Sequence, residues 1–190
     1  LEKFKAQSVT HEVKIPYSKL KIALVFFGSL GFVVLGIVIL LDENGMSSGM
    51  FSSEILNKTF GVLSILFFGA IAGTVPWKLL SNNLGFEINE HGIIDHSNFS
   101  SIGLIEWEDI KEIRTQSFTK TSWLLIYTFK PQKYLDKAEN GFKRWQLKSN
   151  IRTYKTPIYI TSTILSVKFA VLEKLVMDAF EEKKTHHNST

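Results

Sequence analysis

Cysteine is absent from this chain of 190 residues. That excludes a disulfide framework, a zinc–thiolate site and a thiol nucleophile. Phosphate-binding glycine loops, dinucleotide-binding glycine turns, the H-E-x-x-H zinc pattern and the G-x-S-x-G nucleophile turn are missing too. Without those constellations the chain is expected not to be an enzyme and to carry no cofactor. His91 and His96 lie beside Glu90 and Asp95. A closed metal site needs some four convergent ligands, which a two-stranded hairpin need not supply, so no metal is expected. Glu106, Glu108, Asp109 and Glu112 alternate about a strand end and do not pair for acid–base work. Asp109 is expected to cap a turn. Charge is modest, at 21% of residues against 45% hydrophobic, and this excludes intrinsic disorder.

Charge is missing most completely from two stretches. Residues 22–41 run for 20 positions without an ionisable group, 16 of them apolar and the others Gly or Ser. At 1.5 Å per residue this spans about 30 Å, the hydrocarbon thickness of a bilayer. A core helix of that length would carry a polar stripe, and this one has none. The stretch is too long for a signal-peptide core, and no small-residue cleavage site follows it, so a retained helix is expected. A second span is predicted over 59–80, uncharged as far as Trp77 and closed by Lys78. Its Gly69 and Gly73 stand four apart, the spacing of a helix-contact face, and the first span is the expected partner. Spans without ionisable residues argue against a pump or proton relay.

Charge balance gives the orientation. Residues 1–21 carry five Lys against two Glu, whereas the connecting segment 42–58 carries Lys58 against three carboxylates. Lys78 and 15 further Lys or Arg follow the second span. The positive-inside rule then puts 1–21 and everything after 80 in the cytoplasm, with 42–58 as an extracytoplasmic loop.

Residues 82–183 read as a domain of short strands and one helix, with 184–190 as a flexible tail. Strands are predicted at 84–88, 93–96, 102–107, 123–129 and 157–161, with a further segment over 110–118. A turn at 89–92 places Gly92 where positive φ costs little. Leu165, Phe169, Leu172, Val176 and Ala179 recur at helical spacing and predict a terminal helix with Ser166 as its cap. Strands first and one helix last imply an α+β unit, an antiparallel sandwich or barrel plugged by the helix.

The order of two spans, a hairpin ending N-E-H-G-I-I, then I-E-W-E-D-I-K-E-I at 105–113, resembles the bacterial pleckstrin-homology-like membrane proteins. Gly92, Trp107, Asp109, Ile110 and Ile113 carry the resemblance, with the T-P-I-Y-I strand and following helix. The resemblance covers nearly the whole chain. It implies a PH-like fold, a bent sheet closed by the C-terminal helix, in a multi-pass protein of the bacterial inner membrane. It implies no activity, because that fold is a platform for many functions.

Residues 131–150 interrupt the strands with a helical pattern of Leu135, Ala138, Phe142 and Trp145, weakened by Gly141. Across 130–155 the chain holds Lys130, Lys133, Lys137, Lys143, Arg144, Lys148, Arg152 and Lys155 against Asp136 and Glu139, a net +6. Residues 78–129 carry −3 and 156–190 carry none. Those eight cations with Trp145 could rest on anionic phospholipid or an acidic partner. The alternative is a solvated helix whose aromatics, Tyr134, Phe142 and Trp145, fill the core. Nucleic acid is not expected as a partner, because the rest of the domain is not basic. The expected function is a membrane-anchored PH-like binding module at the cytoplasmic face. Its partner would be a membrane protein or anionic lipid, with self-association through the spans also open. The second expectation is a small regulatory or immunity-type protein that neutralises a membrane-directed protein.

Overall fold

A computed structural model describes residues 12–42, 54–80, 84–98, 100–119 and 121–187. The chain is α+β. Its elements are β1 (Val13–Pro16), α1 (Lys19–Leu41), α2 (Glu54–Leu80), β2 (Leu84–Ile88), β3 (Gly92–Asp95), β4 (Gly103–Glu106), β5 (Ile110–Phe118), β6 (Thr121–Thr128), α3 (Pro131–Asp136), α4 (Gly141–Tyr154), β7 (Ile158–Ile160) and α5 (Phe169–His187). They form two compact units: Leu1–Ser18 with Leu84–Thr190, and Lys19–Asn83.

The strand unit holds two antiparallel sheets, ordered β1-β2-β3-β4 and β5-β6-β7. Its first strand corrects the sequence reading, which left residues 1–21 outside the domain. Val13 pairs with Ile88 and Ile15 with Phe86, so β1 is an edge strand of a sheet whose other members follow the helices. Ile15 points inward with no exposed surface and Lys14 points out, the alternation of a half-buried strand. Four residues were too short a pattern to register as a strand, and their partner lies some 70 positions away. Backbone hydrogen bonds from Ser166 to Pro16 (3.0 Å) and from Ser18 to Ile164 (2.8 Å) tie the end of β1 to the segment before α5.

The inward faces of both sheets meet one core. Phe86, Ile93, Ile105, Leu124, Ile126 and Ile160 are fully buried, with Leu172 and Val176 of α5 against them. The helix starts at Phe169, so Ser166 is not its cap, and it continues to His187, so 184–187 are helical rather than tail. Gly92 serves differently from the sequence reading. Gly103 is the glycine with positive φ, at 73°. A Cβ on Gly92 would stand 2.0 Å from the Ile105 carbonyl oxygen, so Gly92 lets β3 lie tight against β4. The turn before it is made by Asn89, whose Oδ1 accepts from the amides of His91 (3.0 Å) and Gly92 (3.2 Å).

The other unit is the hairpin of α1 and α2. The segments Lys19–Leu41 and Glu54–Val75 are long and apolar enough to cross a membrane, with mean hydropathy of 2.8 and 1.7. Only 11% and 6% of these windows are buried, unlike a core helix. The predicted loop 42–58 is shorter than expected, since Glu54 already begins α2. Residues 43–53 lie outside the described residues.

The helices approach closely at Gly36 and Gly61, where a Cβ on either would come within 3.0 Å of the other's carbonyl oxygen. Gly69 and Gly73 were expected to make this contact and do not. A Cβ on either meets nothing within 4 Å, so both look away from α1. Spacing identified small residues on a face but not which face the partner helix takes. Phe32 stacks on Phe68 at 4.4 Å, and Ser64 Oγ donates across the pair to the Phe32 carbonyl at 3.0 Å. Ser29 and Thr59 hydroxyls donate to carbonyls four residues back, at 2.8 and 2.7 Å. Such self-satisfaction is what a polar side chain in hydrocarbon needs. A groove of about 530 Å³ runs along one side, lined chiefly by Ile39, Phe60, Leu63 and Phe67, with the Glu54–Lys58 pair at its mouth.

Candidate docking surface

The basic segment folds as an excursion between β6 and β7, in two helices rather than one. Pro131 sits in the first turn of α3, where its missing N–H costs nothing. Gly141 opens α4 instead of weakening a longer helix. The preceding Asn140 caps it, its side chain accepting from the Lys143 amide at 2.8 Å. At the far end Lys155 takes the left-handed conformation, φ 63°, and returns its N–H to Ile151. Asn150 then anchors α4, its Nδ2 donating to the Pro157 carbonyl at 3.1 Å.

A polar cluster at the β4–β5 corner holds the excursion down. Trp107, Glu108 and Asp109 make a single 3₁₀ turn. Trp107 Nε1 donates to the Asn89 carbonyl at 2.9 Å, joining the corner to the β2–β3 turn. Asp109 does not cap its own turn, as the sequence suggested. Its carboxylate accepts from Lys133 Nζ (2.6 Å) and Tyr134 Oη (3.0 Å), with Lys130 Nζ at 3.3 Å. Tyr134 in turn accepts from the Glu106 amide at 3.2 Å and has no exposed surface. Burial would push Asp109 up. The hydrogen bonds from Lys133, Tyr134 and Lys130 outweigh that and hold it below the ordinary carboxylate range. The same contacts raise Lys133, first through Asp109 and then through Glu106 at 2.8 Å. Ile110 and Ile113 enter the core just beyond.

The eight cations therefore part into two groups. Lys130 and Lys133 are engaged by Asp109. Lys137 donates to the Leu104 carbonyl at 2.7 Å and lies 4.9 Å over the Tyr134 ring. Lys143 pairs with Glu139 (3.2 Å), Arg144 with Asp136 (3.1 Å), and Lys155 donates to the Arg152 carbonyl (3.3 Å). Lys148 and the Arg152 guanidinium have no ion-pair partner among the described residues, and both are exposed. At 3.6 residues per turn they share one face of α4 with Phe142 and Trp145, within an arc of about 120°. Leu147 and Ile151 take the opposite, inward face.

Phe142 and Trp145 go against the alternative in which the segment's aromatics fill the core. Tyr134 does so. The other two stand 66% and 61% exposed and stack on each other at 5.8 Å. Phe142, which the sequence groups with Trp145 and Tyr134 in the basic amphipathic segment, stands a three-residue step from Trp145, and the steps on to Lys148 and Arg152 mark one stripe.

Elsewhere, the turn after β3 builds a second polar cluster. Asp95 is buried and accepts from the Ser97 amide (2.9 Å) and the Ser101 hydroxyl. Asn98 carries this across to the second sheet, donating to the Tyr159 carbonyl at 2.9 Å. Burial outweighs these hydrogen bonds and raises Asp95. His91 lies exposed, 3.4 Å from Glu90. Among the described residues no group of three or more His, Asp or Glu is placed to hold a metal ion. No family model matches the chain, and no curated protein or solved structure matches it either.

Proposed function

We propose that the chain is a membrane-anchored, non-enzymatic binding module. A PH-like unit is held at the cytoplasmic face of a bacterial inner membrane by a hairpin of two spans, and it recognises a membrane protein partner or an anionic lipid. The observation that carries this reading is the pairing of β1 with β2. The strand before the first apolar helix and the strand after the second are hydrogen-bonded neighbours. A hairpin crossing a bilayer twice returns the chain to the side it left, as that pairing demands. Lys14 before the hairpin, Lys19 and Lys21 in the first turn of α1 and Lys78 near the end of α2 support the cytoplasm as that side. Sheets of four and three antiparallel strands with a terminal helix on the common core support the PH-like reading. On that reading the hairpin occupies the first connection of the fold, and α3 with α4 the last between strands.

The absence of cysteine makes a direct test available. Single substitutions Lys14→Cys, Glu43→Cys and Lys184→Cys are probed in intact bacterial cells with a membrane-impermeant maleimide. Labelling of Glu43→Cys in intact cells, and of the other two only after lysis, is the expected result. Labelling of Lys14→Cys and Lys184→Cys on opposite sides, or release of the chain from membranes by alkaline carbonate, overturns the reading.

A further inference from the structure

We propose that the outward face of α4 is a lipid-contact surface for anionic headgroups. Lys148 and Arg152 take the headgroup phosphates, and Phe142 and Trp145 lie at the boundary with the acyl chains. This deepens the membrane-anchored reading and rests on it.

Three observations carry the assignment. First, carboxylates engage Lys130, Lys133, Lys143 and Arg144, and Lys137 and Lys155 donate to backbone carbonyls, which leaves the side chains of Lys148 and Arg152 with neither an ion pair nor a hydrogen bond among the described residues. Second, α4 contains four Lys or Arg and no acidic residue, so its field is of one sign along its whole length. Third, the same stripe begins with a stacked Phe–Trp pair, 66% and 61% exposed, and Trp145 Nε1 makes no hydrogen bond within the described protein. An exposed aromatic pair beside cations suits an interface that is apolar on one side and anionic on the other. Trp is enriched at that depth because its ring is apolar and its N–H is polar.

A bilayer is favoured over an acidic protein by connectivity. Only Tyr17 and Ser18 separate β1 from a helix of bilayer-spanning length, and only residues 81–83 separate the other such helix from β2. A tethered surface stays at high effective concentration, so two cations and two aromatics suffice where a freely diffusing partner would need a larger interface.

The test uses the full chain in nanodiscs, with Ser149→Cys on the same stripe carrying an environment-sensitive dye and Lys184→Cys as the reference site. Discs are made of phosphatidylcholine alone or mixed equally with phosphatidylglycerol. The expected result is a blue shift at position 149 in the anionic discs only. High salt and the double variant Lys148→Glu/Arg152→Glu abolish it, and Phe142→Ser/Trp145→Ser diminishes it, with position 184 unchanged. All four replaced side chains are exposed, so the variants are expected to fold. Identical spectra in both discs overturn the proposal while leaving the anchored reading intact, provided the chain still co-migrates with the discs. A shift that appears only when an acidic protein is added, whatever the lipid, also overturns it. Failure of the chain to enter discs of either kind is the separate result that removes the anchored reading.

Discussion

The strand unit and the helical hairpin solve the problem of buried polar groups in opposite ways. In the strand unit polar side chains reach far along the sequence. Asp109 meets Lys133, Asn98 meets Tyr159, and Trp107 meets Asn89. In the hairpin the hydroxyls of Ser29, Thr59 and Thr74 turn back onto their own helix, and Ser64 is the exception that reaches across to Phe32. Their large apolar side chains also go opposite ways. Phe86 and Ile93 have no exposed surface, whereas Leu24, Phe27 and Leu66 are about two-thirds exposed. Water enforces the first pattern, since a long-range hydrogen bond holds only where packing excludes solvent. The second is the pattern that hydrocarbon would enforce on two helices of spanning length, since a helix there must satisfy its polar groups before it finds a partner.

The largest expected effect tests the first half of this contrast. Asp109→Ala leaves Lys130 uncompensated, leaves Lys133 with Glu106 alone and takes the acceptor from Tyr134. The strand unit should lose about 3 kcal/mol, read by denaturant titration of the detergent-solubilised chain. Helicity from α1 and α2 should persist through that transition. The second half is tested by Gly36→Leu, which drives a side chain into the Gly61 carbonyl and should destabilise the hairpin by about 2 kcal/mol. Faster hydrogen exchange confined to α1 and α2 would report it. Trp107→Phe keeps an aromatic ring but loses part of the indole's bulk and its hydrogen bond to Asn89, for about 1.5 kcal/mol in the same titration.

The two buried carboxylates should respond to pH with opposite sign. Asp109 sits below its unfolded value, so its contribution is present above about pH 4 and fades as pH falls further. Asp95 sits above its unfolded value, so its contribution is full in acid and is lost as pH rises through the raised value. As pH rises above about 4, Asp95→Asn should therefore gain on the wild type, whereas Asp109→Asn should lose ground only as pH rises towards about 4 and hold a constant deficit above it. Parallel slopes would show that the two environments are misread. Smallest of all, Gly69→Ala and Gly73→Ala should change hairpin stability by less than about 0.5 kcal/mol.

What the sequence made legible is what local pattern dictates. The apolar runs gave both helices and β6, alternation and turn residues gave β2 to β4, the T-P-I-Y-I run gave β7, 110–118 stood out only as a further segment, and helical spacing gave α5. Four features were hidden, each fixed by something distant or by a choice between faces. β1 is four residues whose strand character depends on a partner beyond the hairpin. Gly92 looks like a turn glycine until β4 is laid beside it. The orientation of Gly69 and Gly73 depends on a helix crossing that spacing does not encode. Phe142 and Trp145 follow the same period whether they face the core or away from it. The charge total of the basic segment was plain, but its division was not, because Asp109 and Glu106 lie more than 20 residues upstream of their lysine.

The early position of β1 has a consequence for how the protein is made. The edge strand is synthesised before the hairpin, and its partner only after it, so the first sheet cannot close until both apolar segments have been made. Contacts of such long sequence separation form late, after the loop they close has been ordered. Residues 13–16 must therefore wait, unpaired, through the making of some 67 intervening residues. On the membrane-anchored reading, insertion of the helices becomes a checkpoint for folding of the strand unit, and a chain that stalls there also leaves β2 with an open edge.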